Sequence, residues 1–176
     1  NYVTLQHVTA EGAPKNIYAY SSTNPDYINI VDVITRLSGK QGTDLRTSHS
    51  KILNSYFFGN TLYNWPRGRW NSTCEYISAG GWPQNLSFVG GSDNNLIAGT
   101  VIKDGGGEGM GFGSNSSLTA SNPSTIIDNN VLIDVWSVGI YPDGVSYPLI
   151  KNNFVYYSGV TESDIAAHCT TALGKG

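Results

Sequence analysis

Five residues of one segment have side chains suited to binding a carbohydrate: Trp65, Arg67, Arg69, Trp70 and Trp82. Flat aromatic faces stack on the apolar side of sugar rings, and the planar edge of a guanidinium group pairs with the carboxylates of uronic acids. The five residues therefore predict a glycan-binding loop. The competing and simpler interpretation is that the tryptophans hold a long loop against the body of the protein while the arginines remain solvated.

A lyase acting on a uronic acid needs a base that removes the proton beside the carboxylate and a cation that stabilises the resulting enolate. His49, Lys51, Arg67 and Arg69 are the only residues close together in the sequence that could supply both functions. His49 also precedes a predicted strand, where a turn residue is expected. The only catalytic candidates are thus His49, Arg67 and Arg69, and no catalytic residue is assigned from the sequence.

The elements that would position these residues follow from a repeated pattern. Residues 96–102, 126–132 and 149–155 each contain a branched apolar residue, then Gly or Asn two places later, then a bulky apolar residue after two more. The same pattern fits earlier segments, and most copies begin about 22 to 25 residues apart, as in solenoid proteins. The repeats start at Leu5, Ile30, Ile52, Ile97, Ile127 and Ile150.

Short strands joined by tight turns explain this unit. Alternate side chains of a strand point inward, and one rung of three strands cannot bury its apolar face until the next rung stacks on it at about 4.8 Å. The pattern predicts an all-β, right-handed parallel β-helix of about six to seven rungs. At the polar third position we expect a sharp bend whose side chains bond to their counterparts in adjacent rungs. That position holds His7, Asp32, Asn54, Gly99, Asn129 and Asn152.

The rest of the chain fits one domain over residues 1–176. Residues 109–112 and 138–141 are predicted to be the second strands of their rungs, and residues 61–91 form an inserted loop. From Thr161 to Leu173 apolar residues recur every fourth position, and Gly174 follows. This spacing predicts a short amphipathic helix over residues 161–173 that caps the last rung.

Two carboxylate pairs are candidates for the active site of a glycoside hydrolase, which needs two carboxyl groups about 5 to 9.5 Å apart. The pairs are Asp104 with Glu108 and Asp128 with Asp134. Asp104 and Asp134 occupy the same turn in consecutive rungs, which favours a role in forming the turn. Calcium binding at these turns is a further alternative, although the ligand spacing is not that of a calcium loop. The expectation is that the protein has no metal and no cofactor.

Composition limits the classes of partner. Charged residues are 13% of the chain and the formal net charge is −3, so nucleic acid is not an expected partner. The sequence has neither an apolar run long enough for a membrane span nor a basic and apolar leader.

Three asparagines are candidates for N-glycosylation: Asn71, Asn85 and Asn115 each begin a sequon in a segment expected to be a loop. Cys74 and Cys169 either form one disulfide in a secreted protein or remain two buried thiols.

The rungs of the form Ile-x-Asn-x-Val/Phe, with strands such as Val138-Gly139-Ile140, resemble the right-handed parallel β-helix of the pectin-lyase-like superfamily from Leu5 to Gly159. That superfamily includes polysaccharide lyases, glycoside hydrolases, adhesins and structural proteins, so the fold does not determine the activity. The catalytic motifs of polygalacturonases and pectate lyases are absent from the sequence.

Taken together, the sequence favours a non-catalytic extracellular or cell-surface module with a structural, adhesive or filament-forming role. Its expected partners are further copies of the chain stacked end to end or further β-helix rungs and, at the tryptophan and arginine loop, a polysaccharide. The alternative is a carbohydrate-active enzyme or a fragment of one, most simply a polysaccharide lyase acting on uronic acid polymers.

Overall fold

The computed structural model describes residues 2–19, 27–61, 84–88, 94–112, 125–135, 138–143 and 147–158. These residues contain 17 strands and no helix. The strands are β1 (Val3–Gln6), β2 (Thr9–Glu11), β3 (Ile17–Ala19), β4 (Ile28–Val31), β5 (Ile34–Arg36), β6 (Thr43–Leu45), β7 (Lys51–Leu53), β8 (Tyr56–Phe58), β9 (Gln84–Phe88), β10 (Asn95–Ala98), β11 (Val101–Lys103), β12 (Glu108–Phe112), β13 (Thr125–Asp128), β14 (Val131–Ile133), β15 (Ile140–Tyr141), β16 (Leu149–Lys151) and β17 (Phe154–Tyr156).

The strands form three parallel sheets that the chain visits in turn. Sheet A has the order β1-β4-β7-β10-β13-β16, sheet B has β2-β5-β8-β11-β14-β17, and sheet C has β3-β6-β9-β12-β15. Each circuit of the chain adds one strand to each sheet, which is the arrangement of a parallel β-solenoid. The predicted all-β stacked architecture is confirmed, with six strands in each of two sheets and five in the third.

The six predicted repeat starts lie in one register. Each pairs with its counterpart in the next rung of sheet A, in the order Leu5, Ile30, Ile52, Ile97, Ile127 and Ile150. Four members of this column, from rung two to rung five, are completely buried. The repeat therefore identifies the inward-facing column residue by residue.

The core is a single column of side chains between the three sheets. Phe57, Ile102 and Leu132 point inward from sheet B, where each is the middle residue of its strand and is completely buried. Sheet C contributes Phe88 and Phe112, whose rings stack with centroids 5.7 Å apart. Like residues thus stack on like along the coil, and the apolar surface of each rung is buried only by its neighbours.

The bend between sheets A and B is formed by the polar third position of the repeat. All six residues there have a positive φ, from 49° at Asn54 to 64° at Gly99. The left-handed region costs little for Gly and is tolerated by Asn and Asp. A side chain at Gly99 would also place Cβ 2.4 Å from Asn54 Oδ1, so glycine relieves crowding in the column.

The bonds that tie these bends together come mainly from the following residue, which points inward. Thr100 N donates to Asn130 Oδ1 at 2.9 Å, and Asn130 N donates to Asn153 Oδ1 at 2.9 Å. Asn130 Nδ2 also donates to Ile97 O at 3.0 Å. The bend was predicted correctly, and one predicted bond between counterparts is present, since His7 Nδ1 lies 2.7 Å from Asp32 Oδ2. The buried amides that connect the later bends lie one residue after the predicted position.

The structure differs from two further expectations. Residues 109–112 lie in β12 and residues 140–141 of the predicted 138–141 form β15, and both are third strands because the bend divides each repeat into a first and a second strand. Residues 84–88 were expected inside the loop 61–91, but they form β9 and pair with both neighbours in sheet C. The helix predicted for residues 161–173 lies outside the described residues.

Candidate functional site

Most site residues predicted from the sequence lie outside the described residues, and their roles remain predictions. These are Trp65, Arg67, Arg69, Trp70 and Trp82 of the glycan-binding loop, Asn71 and Asn115 of the sequons, and Cys74 and Cys169. His49 and Asn85 are described.

His49 lies in the bend that precedes β7 and has a φ of 54°. Its ring stacks on Tyr27, with centroids 5.4 Å apart, and Tyr27 in turn stacks on Tyr2 at 4.4 Å. The three rings are successive members of one column at the corner between sheets C and A. The position of His49 fits the alternative role as a turn residue.

Asn85 is completely buried in β9, whereas the sequence placed its sequon in a loop. Its Nδ2 donates to Glu108 O at 3.1 Å. A Cβ at Gly105 would lie only 1.9 Å from the same nitrogen, so the amide fills the space that the glycine leaves. A glycan on Asn85 is sterically incompatible with this packing.

The aspartates of the two carboxylate pairs form turns and surface contacts. Asp104 and Asp134 have φ values of 52° and 51° at equivalent positions after β11 and β14. Asp134 Oδ1 accepts a hydrogen bond from Ser158 N at 2.6 Å. Asp128 accepts one from Asn152 Nδ2 at 3.0 Å and lies 3.4 Å from Lys151 Nζ. These contacts support the turn-forming interpretation.

The outer face of sheet C contains the strongest arrangement of polar groups among the described residues. Asp44, Ser87 and Gly111 lie side by side in register on β6, β9 and β12. Tyr18 extends this column on one side and Tyr141 on the other, and both rings are largely exposed. We call these five positions the sheet C face. It spans four rung steps, or about 19 Å.

Glu108 lies beside this face at the start of β12 and is only 3% exposed. Gln84 Nε2 donates to its Oε2 at 2.9 Å. The side chain of Gln84 lies over Gly111, where a Cβ would be 2.2 Å from Gln84 Cγ. Burial raises the pKa of Glu108, the Gln84 hydrogen bond opposes that shift, and the negative charge of Asp143 adds to it.

Asp44 is the second buried carboxylate of the face. Its Oδ2 pairs with Lys15 Nζ, and the same ammonium group lies 4.5 Å from the centroid of Tyr18. Its Oδ1 is buried and has no hydrogen-bond partner among the described residues. The ion pair with Lys15 is therefore the contact that offsets the burial of the Asp44 carboxylate.

The two carboxylates lie on different strands of sheet C. Asp44 lies two rungs from β12, in register with Gly111, and Glu108 precedes Gly111 by three residues. Their backbones are therefore about 14 Å apart, given rung and residue spacings of about 4.8 and 3.3 Å. Glu108 alone, with its raised pKa, is suited to donate a proton.

In the sequence, Glu108 is a candidate only as a partner of Asp104, and Tyr18, Asp44 and Tyr141 are not predicted as site residues. No local motif marks these three residues, because they meet only through the register of strands that lie far apart in sequence. Glu108 does carry a local signal, since Gly109 and Gly111 alternate with it at the start of β12.

Among the described residues, no group of three or more His, Cys, Asp or Glu side chains could hold a metal ion. The described part of the chain also contains no helix that is long and apolar enough to cross a membrane. Comparisons with protein-family models, curated proteins and solved structures gave no match.

Proposed function

We propose that this chain is a non-catalytic structural module, extracellular or at the cell surface, that assembles end to end through the outermost described rungs of its solenoid. The observation that carries the proposal is the exposure of inward-facing apolar residues at both ends. Val3 is 53%, Ile150 42% and Val155 54% exposed. Their register partners one rung inward, Ile28, Ile127 and Leu132, are buried.

The strand edges at these ends support the same proposal. Within the described residues, β1 and β16 are the outermost strands of sheet A, and β2 and β17 those of sheet B. Parallel strands place the two ends in the same orientation, so β16 of one copy can pair with β1 of the next. A head-to-tail contact of this kind leaves a free end at each step and therefore propagates into a filament.

Assembly in solution tests the proposal. We expect the wild-type chain to form concentration-dependent, elongated species in sedimentation velocity and negative-stain microscopy. Ile150→Asp places a charge in the end contact and should leave a monomer with an unchanged far-UV circular dichroism spectrum. Ile34→Asp is the matched control, because Ile34 has similar exposure, 38%, but points outward from sheet B.

Two results would refute end-to-end assembly. One is a wild-type chain that stays monomeric at every accessible concentration. The other is an Ile150→Asp variant that assembles as the wild type does.

The sheet C face supports a second candidate function, a carbohydrate-active enzyme of the pectin-lyase-like superfamily. The specific observation is Glu108, a buried acid with a raised pKa that lies beside the sheet C face, whose outermost members are the exposed Tyr18 and Tyr141. Exposed aromatic side chains can stack on sugar rings, and a carboxyl group that stays protonated can donate a proton to a leaving group. In this proposal the tryptophan and arginine loop supplies additional contacts to a uronic acid polymer.

A panel of uronic acid polymers tests this second candidate. Lyase activity would appear as absorbance of the unsaturated product, and Glu108→Gln should lower kcat more than it raises KM. The Arg67→Ala/Arg69→Ala variant should instead weaken glycan binding. Absence of product from every polymer, together with unchanged binding by the arginine variant, would eliminate the candidate.

A further inference from the structure

Two tyrosines stack on each other at the corner between sheets C and A. The ring centroids of Tyr2 and Tyr27 are 4.4 Å apart, and the ring planes are inclined by 22°. The two residues occupy equivalent positions, since they immediately precede Val3 and Ile28, which pair between β1 and β4. Val3 N also donates to Tyr27 O at 3.1 Å. Strand pairing therefore holds the two tyrosines one rung step apart, about 4.8 Å.

The two rings differ in how firmly they are held. The ring of His49, one rung further along the column, stacks on Tyr27 with centroids 5.4 Å apart, and Tyr27 is 37% exposed. Tyr2 is 77% exposed, so protein contacts limit the rotation of its side chain much less. One phenol is thus positioned by its neighbours and the other can move toward it, and both are accessible to a reagent in solution.

We propose that Tyr2 and Tyr27 are the site of an oxidative dityrosine cross-link within one chain. The co-reactant is hydrogen peroxide used by a haem peroxidase, which removes one electron and one proton from each phenol. The two phenoxyl radicals join through a carbon–carbon bond between ring positions ortho to the hydroxyl groups. Each ortho hydrogen then moves to the phenol oxygen of its ring, which restores aromaticity. Two tyrosines and one hydrogen peroxide give one dityrosine and two water molecules.

Proximity favours coupling at this corner. Two groups held next to each other in one molecule react as if at a very high concentration, whereas radicals on separate molecules must first meet by diffusion. Bond formation requires the rings to pass from a stacked arrangement to one in which their edges meet. Rotation about the side-chain torsions of the exposed Tyr2 supplies this movement.

Two other tyrosines of the described residues stack on phenylalanine. Tyr56 lies 6.0 Å from Phe58 and Tyr156 lies 6.3 Å from Phe154, measured between ring centroids. Phenylalanine has no hydroxyl group and does not form a phenoxyl radical, so neither contact can yield dityrosine. Of these three ring contacts, the one at the corner between sheets C and A alone brings two phenols together.

The cross-link stabilises the first described rung. Val3 of β1 is 53% exposed and Leu5 is only partly buried, so β1 buries less apolar surface than the inner strands of sheet A. A covalent bond between the two tyrosines closes residues 2–27 into a loop, which lowers the conformational entropy of the unfolded chain. The cross-linked chain should therefore unfold at a higher urea concentration than the untreated chain. An unchanged midpoint would refute the stabilising role.

Treatment of the dilute, purified chain with a haem peroxidase and hydrogen peroxide tests the site. We expect dityrosine fluorescence, a loss of two hydrogen atoms from the intact mass, and a cross-linked peptide that joins Tyr2 to Tyr27. Tyr2→Phe and Tyr27→Phe keep a stacked ring but remove one phenol, so each should abolish this peptide. Tyr147→Phe is the matched control, because Tyr147 is 72% exposed, and it should leave the yield of the peptide unchanged.

A mixture of unlabelled and isotope-labelled chains separates coupling within one chain from coupling between copies. We expect cross-linked peptides that carry a single isotope throughout. Hybrid peptides as the main product would overturn the proposal, and so would a Tyr2→Phe variant that forms as much dityrosine as the wild type. Both rings belong to one chain, so the cross-link does not require end-to-end assembly. Sedimentation of the same samples reports on assembly separately.

Discussion

At the scale of single residues, two neighbouring positions of the repeat contribute in different ways to the bend between sheets A and B. Asn129 supplies the left-handed backbone, with a φ of 55°, and its side chain is exposed. Asn130 is buried and bonds to Thr100 N, Ile97 O and Asn153 Oδ1. Two identical amides in sequence thus stabilise the fold by different physical means.

Substitution should separate the two roles. Asn129→Ala should lower the free energy of unfolding by about 1 to 2 kcal/mol, because alanine is strained in the left-handed region, whereas Asn129→Gly should be nearly neutral. Asn130→Ala should cost about 2 to 5 kcal/mol, since it leaves Thr100 N and Ile97 O buried without partners. Urea unfolding measures all three, and equal losses for Asn129→Ala and Asn130→Ala would contradict this division.

The other informative residue is Glu108, whose raised pKa links stability to pH. A folded state that binds the proton more tightly than the unfolded state is stabilised at low pH. The contribution of Glu108 should be complete below the ordinary pKa of a glutamate. It should be lost as pH rises through the raised pKa of the folded protein.

Glu108→Gln should remove this part of the pH dependence and raise stability relative to the wild type above that window. Urea unfolding at a series of pH values from acid to neutral measures the effect. Asp104→Asn is the matched control, since Asp104 is a partly exposed turn residue whose positive φ asparagine tolerates. If both variants flatten the profile equally, Glu108 is not the source of the dependence.

At the scale of elements, burial differs along one column of sheet A, although every member of the column has the same position in the repeat. Ile97 is completely buried between β7 and β13, whereas Ile150 of β16 is 42% exposed. Both side chains point inward, and the difference is that Ile97 has a described rung on each side whereas Ile150 has one on only one side. Sequence position within the repeat cannot distinguish them.

The two isoleucines should respond differently to truncation. Ile97→Ala should lower the free energy of unfolding by about 2 to 5 kcal/mol because it opens a cavity in a closed core. Ile150→Ala should cost less than about 1 kcal/mol in the monomer, since half of its contacts are missing there. Denaturant unfolding at low protein concentration gives both values, and similar losses would show that Ile150 is covered in solution.

At the scale of the whole molecule, the core of the described solenoid is a column that is closed in the middle rungs and exposed in the outermost described rungs. Val3 at one end and Val155 at the other show this directly. A globular domain buries such residues by folding back on itself, whereas a solenoid can do so only with another rung or a cap. Its stability should therefore depend on what covers the ends.

End-to-end contact predicts that thermal stability rises with protein concentration, because association stabilises only the folded state. Calorimetry over a hundredfold range of concentration should show an increasing Tm for the wild type. The same series should show a constant Tm for Ile150→Asp. A wild-type Tm that does not change with concentration would argue that the ends remain uncovered or are capped within the chain.

The sequence alone determined the periodic part of this protein. The apolar starts of the repeat and the polar bend residues could be located one by one, because each rung must place the same residue types at the same inward and turning positions. It misplaced the buried amide ladder by one residue. It also combined two strands into one, since a single bend residue interrupts the apolar pattern too briefly to be recognised.

Only the tertiary structure decided which distant residues meet. The column of Tyr18, Asp44, Ser87, Gly111 and Tyr141 arises from strand register across connections of very different length, which no local pattern encodes. The burial of Glu108 and Asn85 was hidden for the same reason. A residue's type sets what chemistry it can do, but in a solenoid its neighbours are supplied by other rungs, and only stacking determines them.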